Sequence, residues 1–216
     1  FLAQLNKATL SYAKKDVATV TKYAKSLGFE GELMPWDWGY YNEKYKEAKY
    51  SINDEQVKPY LQLENVKDAV FMLANKLYGL TFVPAPEIEV YDPEATAYEV
   101  KDADGELLAI LYLDFFPRAS KRAGAWMTSY KDQWIDEATG ENSRPHISIV
   151  MNFTKPTANK PALLTFDEVN TFLHEFGHAL HGIFADTTYE SLSGTSVYRD
   201  FVELPSQIME NWAYAP

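Results

Sequence analysis

Two histidines four residues apart flank a glutamate in the run His174-Glu175-Phe176-Gly177-His178. On a helix that spacing stacks the two imidazoles one turn apart, so both can meet one tetrahedral metal ion at about 2.0 to 2.1 Å. Glu175 stands a third of a turn round, too close in sequence to serve comfortably as a further ligand but well placed to contact a water on that metal. The chemistry implied is hydrolysis: a metal-acidified water gives its proton to Glu175, which can pass it to a leaving amine. The plainer reading makes these residues polar groups on an exposed helix face. It loses weight because three of the four histidines in the chain fall within residues 174 to 181.

A catalytic zinc needs a third protein ligand and an open position for water. His181, Asp186, Glu190, Asp200 and Glu203 are the candidates by residue type. His181 would have to reach back along its own helix, whereas Glu203 lies on a second helical segment, 200–212, after a connection containing Gly194 that lets the chain return. Pro205 fits best where that helix has barely begun. By helical spacing Asn170, Asp200 and Gln207 are candidate partners for the outer ring nitrogens of metal-bound histidines, although each has a plainer structural reading, Asp200 as a cap of the second helix.

The elements that must position these groups are legible around them. Thr165-Phe166-Asp167-Glu168 has capping-box spacing and predicts a helix starting just before Val169. Val169, Phe172, Leu173, Phe176, Leu180, Ile183 and Phe184 form its apolar stripe, opposite Asn170, His174, His178 and His181. Residues 1–84 read as helical, with a stop at Gly28, further helices over 37–49 and 64–78, and a stop at Gly79. After Pro84 and Pro86, short β-type runs are predicted at 88–91, 97–101 and 107–114, the last two forming a hairpin over Asp102-Ala103-Asp104-Gly105. Residues 115–143 read as loop, and 146–153 as a strand close to the histidine helix. The expected fold is α+β, mainly helical, with a small β-sheet packed on that helix. It comprises a helical region (residues 1–84), a sheet region (residues 85–155) and two site helices within residues 164–216.

Composition narrows the function. The 216 residues are 46% hydrophobic, enough to bury a sizeable core. A net charge of −11 and the lack of a basic stripe argue against nucleic acid. No stretch of about 18 apolar residues suggests a membrane span. The absence of cysteine excludes disulfides, thiol nucleophiles and thiolate metal sites, and suits a reducing compartment. Phe1 at the start and Ala215-Pro216 directly after a helix-like run lead to the expectation of a piece of a larger protein.

Taken together, the blocks His174 to Gly182, Ser193-Gly194-Thr195, Arg199 to Gln207 and Glu210-Asn211-Trp212 resemble the thimet oligopeptidase family of zinc metallopeptidases, in its order and spacing. Upstream, Pro35-Trp36-Asp37-Trp38, Leu63 to Val66, Tyr112-Leu113-Asp114, Lys121 to Trp126 and Pro161 to Thr165 are similar to its bacterial peptidyl-dipeptidase branch. The resemblance implies a zincin-like core, one Zn2+ per chain held by His174, His178 and Glu203, and Glu175 as general base. It implies cleavage of short peptides in a deep channel between mostly helical halves, releasing C-terminal dipeptides, with an oligoendopeptidase or a catalytically incomplete zinc-binding piece as alternatives. A Gly- and Tyr-rich segment that supplies substrate-holding groups in the family lies beyond this chain. A monomer with short peptides as partners, no nucleic acid and no membrane is expected, in the cytoplasm or alternatively the periplasm or envelope.

Two other classes compete. A peptide-binding scaffold could keep a metal as a staple, but a structural site has no need of a base beside its ligands. A metal-free helical domain would make the spacing of Glu203 coincidental.

Overall fold

The computed structural model describes residues 1–51 and 53–215, which divide into two compact units, Phe1–Val57 and the chain from Lys58 onward. In the first, α1 (Leu2–Ser26) and α2 (Pro35–Tyr50) precede a single turn, α3 (Asp54–Val57). Val20 and Ala24 are its buried apolar residues, and edge-to-face pairs Tyr23–Tyr45 and Phe29–Tyr41, with centroids 5.6 and 5.0 Å apart, tie its elements together. The helix predicted over 37–49 starts two residues earlier, because Pro35 fits the first helical turn and Asp37 Oδ2 accepts from the Met34 N–H at 3.1 Å.

The second unit opens with α4 (Leu63–Tyr78), which ends at Gly79 in the left-handed conformation, φ 73°. The strands are β1 (Thr81–Pro84), β2 (Thr96–Lys101), β3 (Leu107–Asp114), β4 (Trp126–Lys131), β5 (Trp134–Ile135), β6 (Asn142–Ser143) and β7 (His146–Val150), followed by α5 (Phe166–Ile183) and α6 (Glu203–Glu210). Five of them form one sheet in the order β1-β2-β3-β7-β4, with β3 and β7 parallel and every other pair antiparallel. The fold is thus mixed α and β, with α5 laid across the sheet. Phe172, Phe176, Ala179 and Ile183 from α5 meet Leu111, Leu113, Ile147 and Ile149 from β3 and β7, all buried, with Val70 and Ala74 of α4 in the same core.

The 97–101 and 107–114 hairpin is present, closed by Asp102 Oδ1 accepting from the N–H groups of Asp104 and Glu106. Three readings need correction. Residues 88–91 are coil: Ile88 and Val90 pack on Ala97, Ile110 and Tyr112, yet the Ile88 N–H is taken by the Ala85 carbonyl in a turn and prolines at 86 and 93 bracket the segment. Thr81–Pro84, inside the span read as helical, is instead an edge strand, where a terminal proline costs no ladder bond. Residues 115–143, read as loop, contain β4 and the short β5–β6 ribbon. As an edge strand β4 is only partly buried along Trp126–Ser129, so it carries no apolar alternation to read.

The segment between β3 and β4 is held by a buried charge cluster. Asp114, 1% exposed, accepts two bonds from Arg118 Nη1 at 2.9 Å, one from Lys121 Nζ at 3.0 Å and one from the Tyr91 hydroxyl at 3.0 Å. Lys121 Nζ also donates to the carbonyls of Asp114 and Phe116, and burial pulls its pKa below the usual lysine value. Asn152 Nδ2 donates to the carbonyls of Arg122 and Gly124, fixing the last residues before β4. Removing one partner of such a cluster strands the opposite charge away from water. Asp114→Ala is therefore expected to lower the unfolding free energy by about 3–5 kcal/mol; urea unfolding checks this, and a loss below about 1 kcal/mol would contradict it.

Candidate metal centre

Helix α5 begins where its capping box predicts: Thr165 Oγ1 accepts from the Glu168 N–H at 3.1 Å, and Glu168 Oε2 accepts from the Thr165 N–H at 2.8 Å. At the other end Arg144 donates to the carbonyls of Ile183 and Ala185, satisfying the exposed end of the helix dipole. With Phe172 and Phe176 sunk in the core, His174 and His178 emerge together on another flank, ring centroids 4.9 Å apart and nearly perpendicular at 82°. Phe184 departs from the predicted stripe: it follows the helix, is 44% exposed and lies edge-to-face with Tyr78 at 5.2 Å.

Glu203 reaches these imidazoles because α6 crosses α5 at Gly177. A Cβ on Gly177 would lie 2.5 Å from the Pro205 carbonyl oxygen and 2.6 Å from Ser206 Cα, so only a hydrogen fits. Glu203 Oε2 then stands 3.2 Å from His174 Nε2 and 3.1 Å from His178 Nε2, and one ligand-type atom from each residue lies within 4.8 Å of the others. The Ser206 hydroxyl donates to Glu203 Oε2 at 2.8 Å, and chiefly this bond holds the Glu203 carboxyl below the usual glutamate range. α6 starts at Glu203, later than the predicted 200, so Pro205 falls in its first turn as expected.

The donor set fits a divalent cation. His174 Nδ1 is 2.6 Å from Glu210 Oε1, which assigns the proton to Nδ1 and leaves the Nε2 lone pair facing Glu203 Oε2. Two electron-rich atoms at that separation call for a positive centre between them, and two imidazoles with one carboxylate are a set that zinc takes. Burial holds His178 below the usual imidazole range, in the neutral form a metal requires, and its buried Nδ1 has no hydrogen-bond partner among the described residues. Glu175, 7% exposed, is adjacent. Burial raises its pKa and the Glu203 charge adds to this, while His174 and the Met127 N–H act the other way.

The other candidates stay apart. His181 turns toward Phe201, with rings 6.1 Å apart; Asp186 accepts from Asn142; Glu190 and Asp200 are exposed. Of the expected ring-nitrogen partners, Asn170 has a buried Oδ1 without a partner among the described residues, and Asp200 and Gln207 are exposed. The role falls to Glu210, seven residues after Glu203 and so on the same face two turns on, a spacing that could have identified it. The return segment between the helices is pinned by Gln133, 0% exposed, which exchanges bonds with the Thr187 backbone and accepts from Ser193 Oγ.

A cleft of about 330 Å³ opens over the three residues, walled by Trp126 and Met127 of β4, Glu175, Thr195 and Val202. A larger apolar cavity of about 510 Å³ adjoins α5 and α6 without including His174, His178 or Glu203. Among the described residues no helix is long and apolar enough to cross a membrane.

Comparison with known proteins places the sequence among peptidases. The sequence model of peptidase family M3 matches residues 1–216. Dipeptidyl carboxypeptidase of Salmonella typhimurium is 47% identical over 185 residues, 85% of this chain and 27% of that protein. Dipeptidyl carboxypeptidase of Escherichia coli is 41% identical over 217 residues, 100% of this chain and 31% of that protein. Oligopeptidase A of the same organism is 39% identical over 217 residues, 100% and 32% respectively. The chain thus spans about a third of the length of these relatives.

Because only a hydrogen fits at Gly177, Gly177→Ala is expected to cost about 1–3 kcal/mol and to push α6 outward. Metal titration against a competing chelator should show at least a tenfold loss of zinc affinity; an unchanged affinity would mean that the crossing does not position Glu203.

Proposed function

This chain belongs to peptidase family M3, and from that premise we propose that it carries the catalytic core of a zincin-type, zinc-dependent metallopeptidase that hydrolyses short peptides and releases C-terminal dipeptides. The observation that carries the proposal is the convergence of His174 Nε2 and His178 Nε2 on one oxygen of Glu203, with Glu175 buried alongside. Zinc, when held by His174, His178 and Glu203, supplies a Lewis acid that acidifies water and draws charge from a scissile carbonyl. Glu175 takes the proton of the attacking water and returns it to the leaving amine. Glu210 orients His174 and Ser206 orients Glu203, so neither group has to be organised when substrate arrives.

The free edge of β4 forms one wall of the cleft, and an extended peptide laid along it would gain backbone hydrogen bonds beside Glu175. An oligoendopeptidase is the second reading, favoured by the similarity to oligopeptidase A. We assign the chain to a cytoplasmic monomer, with periplasm or envelope as the alternative. The absence of cysteine supports the cytoplasm, and the charge of −11 leaves peptides rather than nucleic acid as partners.

Zinc content and turnover of a blocked peptide, read from the same samples, test the proposal. The wild type should hold one zinc per chain and Glu203→Ala well below one, while Glu175→Gln should keep zinc and lose about 10²–10⁴ in rate. A well-folded wild type that takes up no zinc would sink it. Protons compete with metal for His178, whose pKa is lowered, so its nitrogen stays available as pH falls past the ordinary imidazole value. Half-release of zinc is expected below about pH 6.5, and release centred above that value on a pH titration would contradict the assignment.

A further inference from the structure

We infer that Arg122 anchors the free C-terminal carboxylate of the bound peptide, an inference that rests on the peptidase reading of the cleft. β4 is an edge strand and already pairs antiparallel with β7, the more favourable geometry for an added strand as well. A peptide antiparallel to β4 runs with its C-terminus toward the start of that strand. Met127 marks the reacting position, since its N–H faces the Glu175 carboxylate. Two residues beyond the scissile bond advance the peptide about 7 Å, as two residues do along β4. The terminal carboxylate therefore arrives level with Gly124 and Ala125, beside Arg122.

Arg122 suits that position chemically. Of the three cations between β3 and β4, Arg118 and Lys121 are consumed by Asp114, whereas Arg122 is exposed and has no carboxylate partner among the described residues. Its guanidinium lies 5.7 Å from the ring centroid of Trp126, a residue of the cleft wall, which keeps the cation beside the start of β4. The backbone beneath it is fixed at both Arg122 and Gly124 by Asn152, and Gly124, at φ 99°, makes the turn into β4. The cleft itself presents the carboxylates of Glu175 and Glu203, so an anionic peptide terminus needs a cation placed at a distance from them. Arg122 meets this need, and a guanidinium can hold a carboxylate through two parallel bonds.

Calorimetric binding to the zinc-loaded Glu175→Gln chain, which binds without cutting, provides the test, with N-acetyl-tetraalanine and its C-terminal amide as probes. The free acid is expected to bind about tenfold tighter than the amide, the scale of one exposed charge-assisted contact. Arg122→Ala should abolish the difference by weakening the acid alone, Arg122→Lys should restore part of it, and Lys131→Ala, at the far end of β4, should leave it intact. An acid preference that survives Arg122→Ala, or disappears with Lys131→Ala instead, overturns the anchor, as does equal binding of acid and amide to the parent chain. If neither probe binds a chain that has taken up zinc, the anchor falls while the metal site stands; a chain that takes up no zinc loses the peptidase reading as well.

Discussion

The site depends on how closely two helices can approach. Glu203 comes from a different helix than the histidines, so its carboxylate arrives only because the backbone of α6 lies against a position of α5 that has no side chain. A helix pair separated by ordinary side chains sits about 8–10 Å apart. At Gly177 the backbone of α6 leaves no room even for a Cβ, and this contact sets where Glu203, Ser206 and Glu210 fall. Everything else in the second unit can be seen as holding α5 still: the sheet beneath Phe172 and Phe176, the capping box at Thr165, and Arg144 on the terminal carbonyls.

The same approach concentrates charge. Glu203 and Glu210 are set against two imidazoles, with Glu175 buried beside them, an arrangement that self-repels unless a cation joins it. The opposed shifts of Glu175 and Glu203 follow from their surroundings. One carboxylate is buried among apolar groups and next to a like charge, while the other receives a hydroxyl bond. Two acids one helix crossing apart are thereby pushed in opposite directions, one toward its charged form and the other toward its neutral form.

Much of this is legible in the sequence because it is written in local chemistry. The capping residues, the i, i+4 histidines and the Gly79 stop are decided within a few positions of each other, and each appears where its spacing places it. β4 is hidden because its identity comes from β7, and a half-buried edge leaves no alternation in Trp126-Met127-Thr128-Ser129. Residues 88–91 mislead for the converse reason, being apolar enough for a strand but lacking a ladder. Glu210 escapes a motif reading because its importance lies in a ring nitrogen of another helix, although its seven-residue distance from Glu203 is there to be counted.

Gln133 gives the connection between the two helices an uneven character. Its single buried amide holds Thr187 by both N–H and carbonyl, as a neighbouring strand would, and Ser193 by its hydroxyl. The return path is thereby divided into a short span staked at both ends by Gln133 and a run from Ser193 to Glu203 that turns on its own backbone bonds and leads straight into α6. Extra length inserted between the two stakes can bulge into solvent without altering where the chain leaves Ser193. Length added after Ser193 is transmitted directly to the arrival of Glu203. Variation along one stretch of loop is then structurally silent, while the same variation a few residues later shifts where Glu203 meets the two imidazoles.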